Sequence, residues 1–294
     1  MRTVFLFTRR SIRLFLRDRA TVFFSFLSTI ILLGLYFLFI GKSYADGIRA
    51  AIGDFLSHDS IYATVYIQMI VGVLVLNSLS LSLGAFSIIA RDFESRRVDG
   101  FLLTPAKPSQ LLAAYFSGGL IVSFVLNSFT WLLSVGIIGL AFGYWASAST
   151  ILAVIGILIF ASVTSCSIML LMIALVKSSA AIAVFSGVAG TFLGFLCGIY
   201  MPYAQLGKGV EKVGSLLPLT HLTIWLKQIV LADAFRQLDI AAEFQDVLLE
   251  SFSAQEVGLA GLNIPLGGML LYTAVFALAC LFFAGRIAGR RFRG

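Results

Sequence analysis

The chain is predicted to be an all-α polytopic membrane protein, on three observations. Six stretches are apolar enough and long enough to cross a bilayer: residues 21–41, 62–90, 111–142, 150–176, 179–200 and 266–285. Each is near or beyond the roughly 20 apolar residues that a helix rising about 1.5 Å per residue needs to cross about 30 Å of hydrocarbon. None shows period-2 alternation, so a helix bonded within itself is the economical way to satisfy backbone polar groups in lipid. The second observation is composition. With 60% hydrophobic and 12% charged residues and a mean hydropathy of +1.00, the chain lies far from the roughly 25% charge of a soluble domain, and no soluble catalytic domain fits between the spans.

The third observation is where the charge lies. Most of the 21 Lys and Arg residues fall on one side of the predicted spans. They are Arg2, Arg9, Arg10, Arg13, Arg17 and Arg19 before the first, Arg91, Arg96, Arg97 and Lys107 between the second and third, Lys177, and Arg286, Arg290, Arg291 and Arg293 in the tail. On the other side, Lys42, Arg49, Lys208, Lys212, Lys227 and Arg236 are outweighed by acids. The positive-inside rule then puts both termini in the cytoplasm and the loops after spans one, three and five outside. A pI of about 9.5 suggests nucleic acid at first sight, but charge placed beside spans points to membrane lipids as the partner.

Taken in order, residues 1–20 predict an interfacial helix along the inner leaflet. At 100° per residue Arg2, Arg9, Arg10, Arg13 and Arg17 gather on one side, while Val4, Phe5, Phe7, Ile12, Leu14, Phe15 and Leu16 cover the rest. The alternative, a loose basic tail, would not require so many large apolar residues. The basic start, the apolar run and Ser43-Tyr44-Ala45 mimic a signal peptide. The run from Thr21 to Gly41 exceeds the usual apolar core of about 7 to 15 residues, so the first span is expected to be retained.

Between spans two and three, residues 91–108 combine dense charge with turn residues. The charged run from Arg91 to Asp99 predicts a short polar helix, ended by Gly100 and turned back by Thr104-Pro105-Ala106-Lys107-Pro108. An exposed helix of mixed charge held by rigid turns suits docking as well as it suits a plain solvated loop.

Here the sequence resembles the membrane subunits of ABC-2 type ATP-binding-cassette exporters. In that family an amphipathic helix precedes span one, and a segment of the form R-E-x-E-x-G-T-x-E-x-L-L-x-T-P between spans two and three forms the coupling helix that sits on the ATPase. The run Arg91-Asp92-Phe93-Glu94-Ser95-Arg96-Arg97-Val98-Asp99-Gly100-Phe101-Leu102-Leu103-Thr104-Pro105 is similar, matching best at Glu94 and Leu-Leu-Thr-Pro and departing where Arg96, Arg97 and Val98 replace Gly-Thr. After span five, Gly198-Ile199-Tyr200-Met201-Pro202 and Leu217-Pro218-Leu219-Thr220-His221 look like the family's G-x-x-x-P and N-P-L-T pair, with Leu217 in place of Asn. The resemblance in layout covers essentially the whole chain and implies that Arg91, Asp92, Glu94, Arg96, Arg97 and Asp99 couple to an ATPase. It also implies a non-catalytic membrane subunit with no cofactor of its own, ATP and Mg being bound by the partner. The only Gly-Lys-Ser, at residues 41–43, has Tyr36 where a phosphate-binding loop needs its first glycine.

Six spans are half of the twelve typical of a complete exporter of this kind, so a second, identical or homologous, subunit is expected. Gly190, Gly194 and Gly198 recur every four residues on span five, extended by Ser186 and Gly187, and small residues at that spacing let helices approach closely in lipid. Packing within one subunit and pairing between two both satisfy this pattern. The resemblance favours pairing, and places Gln68, Asn77, Ser186, Gly190, Phe192, Gly194 and Gly198 at the seam or pathway.

The other in-span polar residues, Asn127 and Thr164-Ser165-Cys166-Ser167, suit either helix contacts or a pathway. With no acid or base inside any span, a proton relay has no members, and a chain with 27 phenylalanines suits hydrophobic or amphipathic cargo such as a drug, antimicrobial peptide or lipid-like compound.

The outer segment, 201–265, predicts a short apolar helix at 218–230 that dips back into the leaflet with His221, Trp225 and Lys227 at interface depth, then an acidic helical cap at 233–256. The second histidine, His58, lies in another loop, and Cys166, Cys197 and Cys280 fall within spans, so neither a disulfide framework nor a zinc site is expected. The rival classes are an ATP-independent channel or scaffold, which an isolated gene would favour, and an intramembrane enzyme, which would need convergent catalytic groups at membrane depth.

Overall fold

The computed structural model describes residues 2–35, 38, 41–53, 56–95, 97–103, 106–176, 179–255, 258–259 and 265–291. Among the described residues the chain is a bundle of helices: α1 (Arg2–Arg17), α2 (Arg19–Leu35), α3 (Gly41–Ile52), α4 (His58–Glu94), α5 (Arg97–Leu102), α6 (Pro108–Phe142), α7 (Ala148–Leu175), α8 (Ser179–Leu196), α9 (Tyr203–Leu206), α10 (Lys208–Gly214), α11 (Pro218–Gln237), α12 (Ala242–Ser251) and α13 (Leu266–Arg291).

Short polar signals set the ends of the long helices. Ser57 caps α4, its Oγ accepting from Ser60 N at 3.1 Å, with Asp59 in the first turn where the helix dipole favours an acid. Pro108 opens α6, where it lacks only an N–H that the helix would not use, and Gly143 closes it at φ 72. Ser147 caps α7. Asp18 caps α2, accepting from Thr21 N at 3.0 Å and from Thr21 Oγ1 at 2.7 Å.

Among the described residues four helices, α4, α6, α7 and α13, are long and apolar enough to cross a membrane, and they coincide with the second, third, fourth and sixth predicted spans. Helices α10 and α11 meet at 101° and make a fifth only if counted as one bent pair. The first and fifth predicted spans correspond to α2 and α8, of 17 and 18 residues. Residues 36, 37, 39 and 40 of the first predicted span, and Lys177 and Arg293, lie outside the described residues, as do the side chains of Arg290 and Arg291.

The core sits around α4, which packs against α1, α2, α3, α6, α7, α8 and α11 and is buried along nearly its whole length. A helix apolar on every side belongs inside a bundle. At its middle the apolar contacts give way to a polar seam. Asn77 Nδ2 donates to Asn127 Oδ1 at 3.1 Å, Asn127 Nδ2 donates to Leu74 O at 3.0 Å and to Ser78 Oγ at 2.7 Å, and Ser82 Oγ donates to Ser123 Oγ at 3.2 Å. Each amide pairs with a neighbouring helix in place of water, which fixes the depth at which α4 and α6 meet.

Helix α1 is not free of the bundle. Thr8, Ser11 and Phe15 are buried against α6 and α4, and Thr8 Oγ1 donates to Ala114 O at 3.2 Å. Gly118 admits Ser11 of α1, and Gly119 admits the ring of Phe86 from α4. Since a Cβ at 119 would fall on that ring, Gly119→Val is expected to cost about 1 to 3 kcal/mol through overpacking. The checking measurement is thermal unfolding in detergent, where an unchanged midpoint would contradict the close approach.

Candidate functional site

The predicted coupling segment forms where α4 ends. Helix α4 runs on to Glu94, and Ser95 closes it, its backbone N–H and its Oγ both donating to Arg91 O, at 2.9 and 2.7 Å. After the break α5 begins at Arg97 and continues through Gly100 to Leu102. Gly100 therefore lies within a helix, whereas its sequence signal was for a stop. The boundary falls at Ser95 because the ladder of α4 persists through the charged residues.

Asp92 is buried, its side chain 2% exposed. Arg10 grips it with both ends of its guanidinium, Nη1 to Oδ2 at 2.8 Å and Nη2 to Oδ1 at 3.1 Å, a two-pronged geometry suited to a carboxylate. Tyr115 Oη donates to Oδ2 at 2.8 Å, and Arg97 Nη1 stands 3.8 Å from Oδ1. The Arg10 guanidinium also lies 4.8 Å above the ring of Phe101, which meets Phe7 edge-on at 5.1 Å. Its proton is held more firmly than usual, chiefly by the hydrogen bond to Asp92. One carboxylate thus ties α1, α4, α5 and α6 together.

The sequence grouped Asp92 with outward coupling charges and Arg10 with the exposed basic stripe, and both turn inward. Arg91, Glu94 and Arg97 are exposed. Arg91 Nη1 donates to Asp18 Oδ2 at 3.0 Å, joining the end of α4 to the cap of α2. Asp18 is lowered to about 2, first by the hydrogen bonds from Thr21 and then by Arg91. A lowered carboxylate keeps its bonds above its ordinary range and loses them as pH falls through about 2, so this tie is constant at any physiological pH. Arg96 and the Thr104-Pro105 turn lie outside the described residues, as does the side chain of Asp99.

The three glycines of the predicted four-residue repeat, two in α8 and one just past its end, do three different things. A Cβ on Gly190 would meet open space, one on Gly194 would strike the ring of Tyr200, and Gly198 ends the helix at φ 60. Val184, Val188 and Phe192 are exposed along the helix, Phe192 by 63%. The side chain of Ser186 lies outside the described residues. Gln68 and Asn77 are buried within the chain, Asn77 in the polar seam and Gln68 with its Nε2 unbonded among the described residues.

The two motifs after span five come together. Thr220 Oγ1 approaches Cys197 Sγ at 3.4 Å, and Tyr203, next to Pro202, donates from Oη to Leu196 O at 2.6 Å and from N to Ser253 Oγ at 2.7 Å. Lys227, fully buried, donates to Gly198 O at 2.8 Å and to Phe252 O at 2.7 Å. Sequence reasoning put Lys227 at interface depth and missed this role, because the carbonyls it satisfies come from the ends of α8 and α12. The predicted apolar helix extends further than expected, to Gln237, and the acidic cap contains α12. His221 is also buried, its Nε2 at 2.7 Å from Ser215 O. Among the described residues no group of His, Cys, Asp or Glu is arranged to hold a metal ion.

Residues 55–285 match the ABC-2 family transporter proteins. The chain belongs to that family, and is thereby a multi-pass membrane component of a transporter, of a kind that in general associates with an ATP-binding-cassette ATPase. No curated protein matches it.

The two sides of the Arg10–Asp92 pair are unequally exposed, at 28% and 2%, and so their removal should have unequal effects. Arg10→Gln leaves a carboxylate buried with Tyr115 and a distant Arg97, and is expected to cost about 3 kcal/mol or more. Asp92→Asn leaves an arginine that can turn to solvent and should cost less. Thermal melts of both variants check the order, and equal losses would mean that the carboxylate is not the buried partner in solution.

Proposed function

We propose that the chain is the membrane subunit of an ATP-driven exporter that carries a hydrophobic or amphipathic compound out of the cell. ATP, with Mg, is hydrolysed on a separate ATPase subunit. The observation that carries this reading is the short helix α5, clamped through Asp92 and Phe101 to α1, α4 and α6 with Glu94 and Arg97 exposed beside it. A push on a helix so fixed is transmitted to the spans, whereas on a loose loop it would be lost. Membership in the ABC-2 family supports an ATPase as the source of that push.

In this reading residues 91–105 dock the ATPase, both termini are cytoplasmic, α2 and α8 complete six spans, and α1 lies along the inner leaflet with Arg9, Arg13 and Arg17 towards lipid headgroups. A second six-helix subunit, identical or homologous, covers the exposed face of α8. Cargo passes beside that face, among apolar walls, which is why an uncharged or amphipathic compound fits.

Co-purification of an ATP-binding-cassette ATPase with the chain from its native membranes tests the assembly directly. Glu94→Lys is expected to leave insertion and the fold intact while uncoupling hydrolysis from transport, read as ATPase activity no longer stimulated by cargo. Full transport with normal ATPase association in that variant would remove the docking assignment.

The glycines of α8 separate the two kinds of packing. Leu at Gly190, where space is open, should leave the single chain folded and lower the dimer association constant about tenfold or more, since about 1 to 3 kcal/mol of overpacking acts on association. Leu at Gly194 should instead displace Tyr200 and lower the melting temperature of the chain itself. Crosslinking through a cysteine placed at Gly190, with the three native cysteines replaced, reads the first effect. No crosslink in a protein that still transports would place the seam elsewhere.

A further inference from the structure

Helices α2 and α8 flank α4 and leave a gap between them towards the end of the bundle where α1 and α5 lie. The gap is a cavity of about 540 Å³ whose floor is α4 and whose walls are α2 and α8. Ligand sites of roughly 300 to 1,000 Å³ suit one small molecule. Phe24, Leu79, Leu83 and Ile182 make the walls apolar.

Polarity is confined to a few places, and its sign is one-sided. At the end nearest α1 stand Asp18 and Arg91. The Asp18 carboxylate already accepts from Thr21 N on Oδ1 and from Thr21 Oγ1 and Arg91 Nη1 on Oδ2, three of its roughly four acceptor sites. Arg91 is the freer partner, its side chain 59% exposed against 31% for Asp18, with Nε and Nη2 unbonded among the described residues. Ser80, on the floor, likewise makes no hydrogen bond among the described residues. The hydrogen-bonding capacity left over is mainly that of a guanidinium donor at one end and a hydroxyl part-way along, with a single acceptor site remaining on Asp18.

We propose that this cavity binds a single-chain, membrane-borne amphiphile with an anionic head group, the head on Arg91 and the tail along Phe24, Leu79, Leu83 and Ile182. A phosphate or carboxylate head takes up the open edge of the guanidinium, whose planar fork matches either group. Asp18 stays with its helix cap and keeps Arg91 aimed at the cavity mouth. A cationic amphiphile meets an acid already tied to Arg91, with that positive charge beside it. The site narrows the cargo class of the proposed exporter and rests on that reading for the word cargo, but the binding itself requires neither ATPase nor turnover.

Binding of tritiated hexadecyl phosphate to the purified chain in nanodiscs of phosphatidylcholine tests the proposal. Saturable binding near one molecule per chain is expected, displaced by unlabelled hexadecyl phosphate and not by hexadecyltrimethylammonium or hexadecanol at the same concentration. Arg91→Gln should weaken it at least tenfold, and Ala183→Trp, which fills the cavity from the exposed side of α8, should abolish it. Equal displacement by the ammonium compound, absence of saturable binding, or wild-type affinity in a folded Ala183→Trp chain would each overturn the proposal. Should Arg91→Gln fail to fold, the head-group comparison on the unmodified chain and the tryptophan variant still decide it. ATPase co-purification with the unmodified chain is measured separately. A negative binding result beside intact co-purification refutes this site alone, whereas loss of co-purification refutes the exporter reading whatever binds here.

Discussion

A carboxylate at the end of a long apolar helix must be paired or protonated, because an isolated charge out of water is too costly to keep. Asp92 is paired, by both prongs of Arg10 and by the hydroxyl of Tyr115. These partners come from α1 and α6, so satisfying one charge brings three helices to a common point and gives α5 a fixed base. Phe101 adds a second hold by placing its ring under Arg10 and against Phe7. The exposed charges of the coupling segment therefore stand on a rigid platform, and the geometry proposed for energy transfer depends on a residue that itself faces inward.

Elsewhere in the bundle a buried amine organises a different junction. Lys227 reaches the carbonyls of Gly198 and Phe252, which are left over where α8 and α12 finish. Helix ends always leave carbonyls without partners, and a buried end needs a donor from elsewhere. One amino group supplies two such bonds and joins the outer segment to the end of α8. Between these two junctions the polar seam among the described residues is built from neutral groups, Asn77, Ser78, Asn127 and their neighbours, which pair at much lower desolvation cost than a charge would.

The bundle therefore has one helix surrounded on nearly all sides, α4, and one barely engaged, α8, which packs on α4 along one edge and exposes Val184, Val188 and Phe192. In lipid an apolar face has no hydrophobic reason to be covered, and association there depends on shape and close approach. The open space beside Gly190 offers such an approach, and the gap between α8 and α2 offers a cavity. Both follow from the same fact, that α8 touches the rest of the chain over a narrow strip.

How much was legible beforehand divides along the range of the interactions. Apolar runs at residues 62–90, 111–142, 150–176 and 266–285 determined α4, α6, α7 and α13, since a segment long enough to cross lipid has one way to satisfy its backbone. The helices capped by Ser57 and Ser147 and opened by Pro108 begin a few residues before the predicted spans, because the polar residues that start them lie outside the apolar runs. The family resemblance was carried by short motifs with local spacing, and the match over 55–285 agrees with it. The direction each charge faces was not legible. Arg10 and Asp92 are 82 residues apart, and Lys227 is 29 residues from Gly198 and 25 from Phe252. Nothing in a helical period tells which of several arginines on one stripe will meet an acid from another helix. That choice belongs to the tertiary structure, where burial makes an unpaired charge costly enough to select its partner.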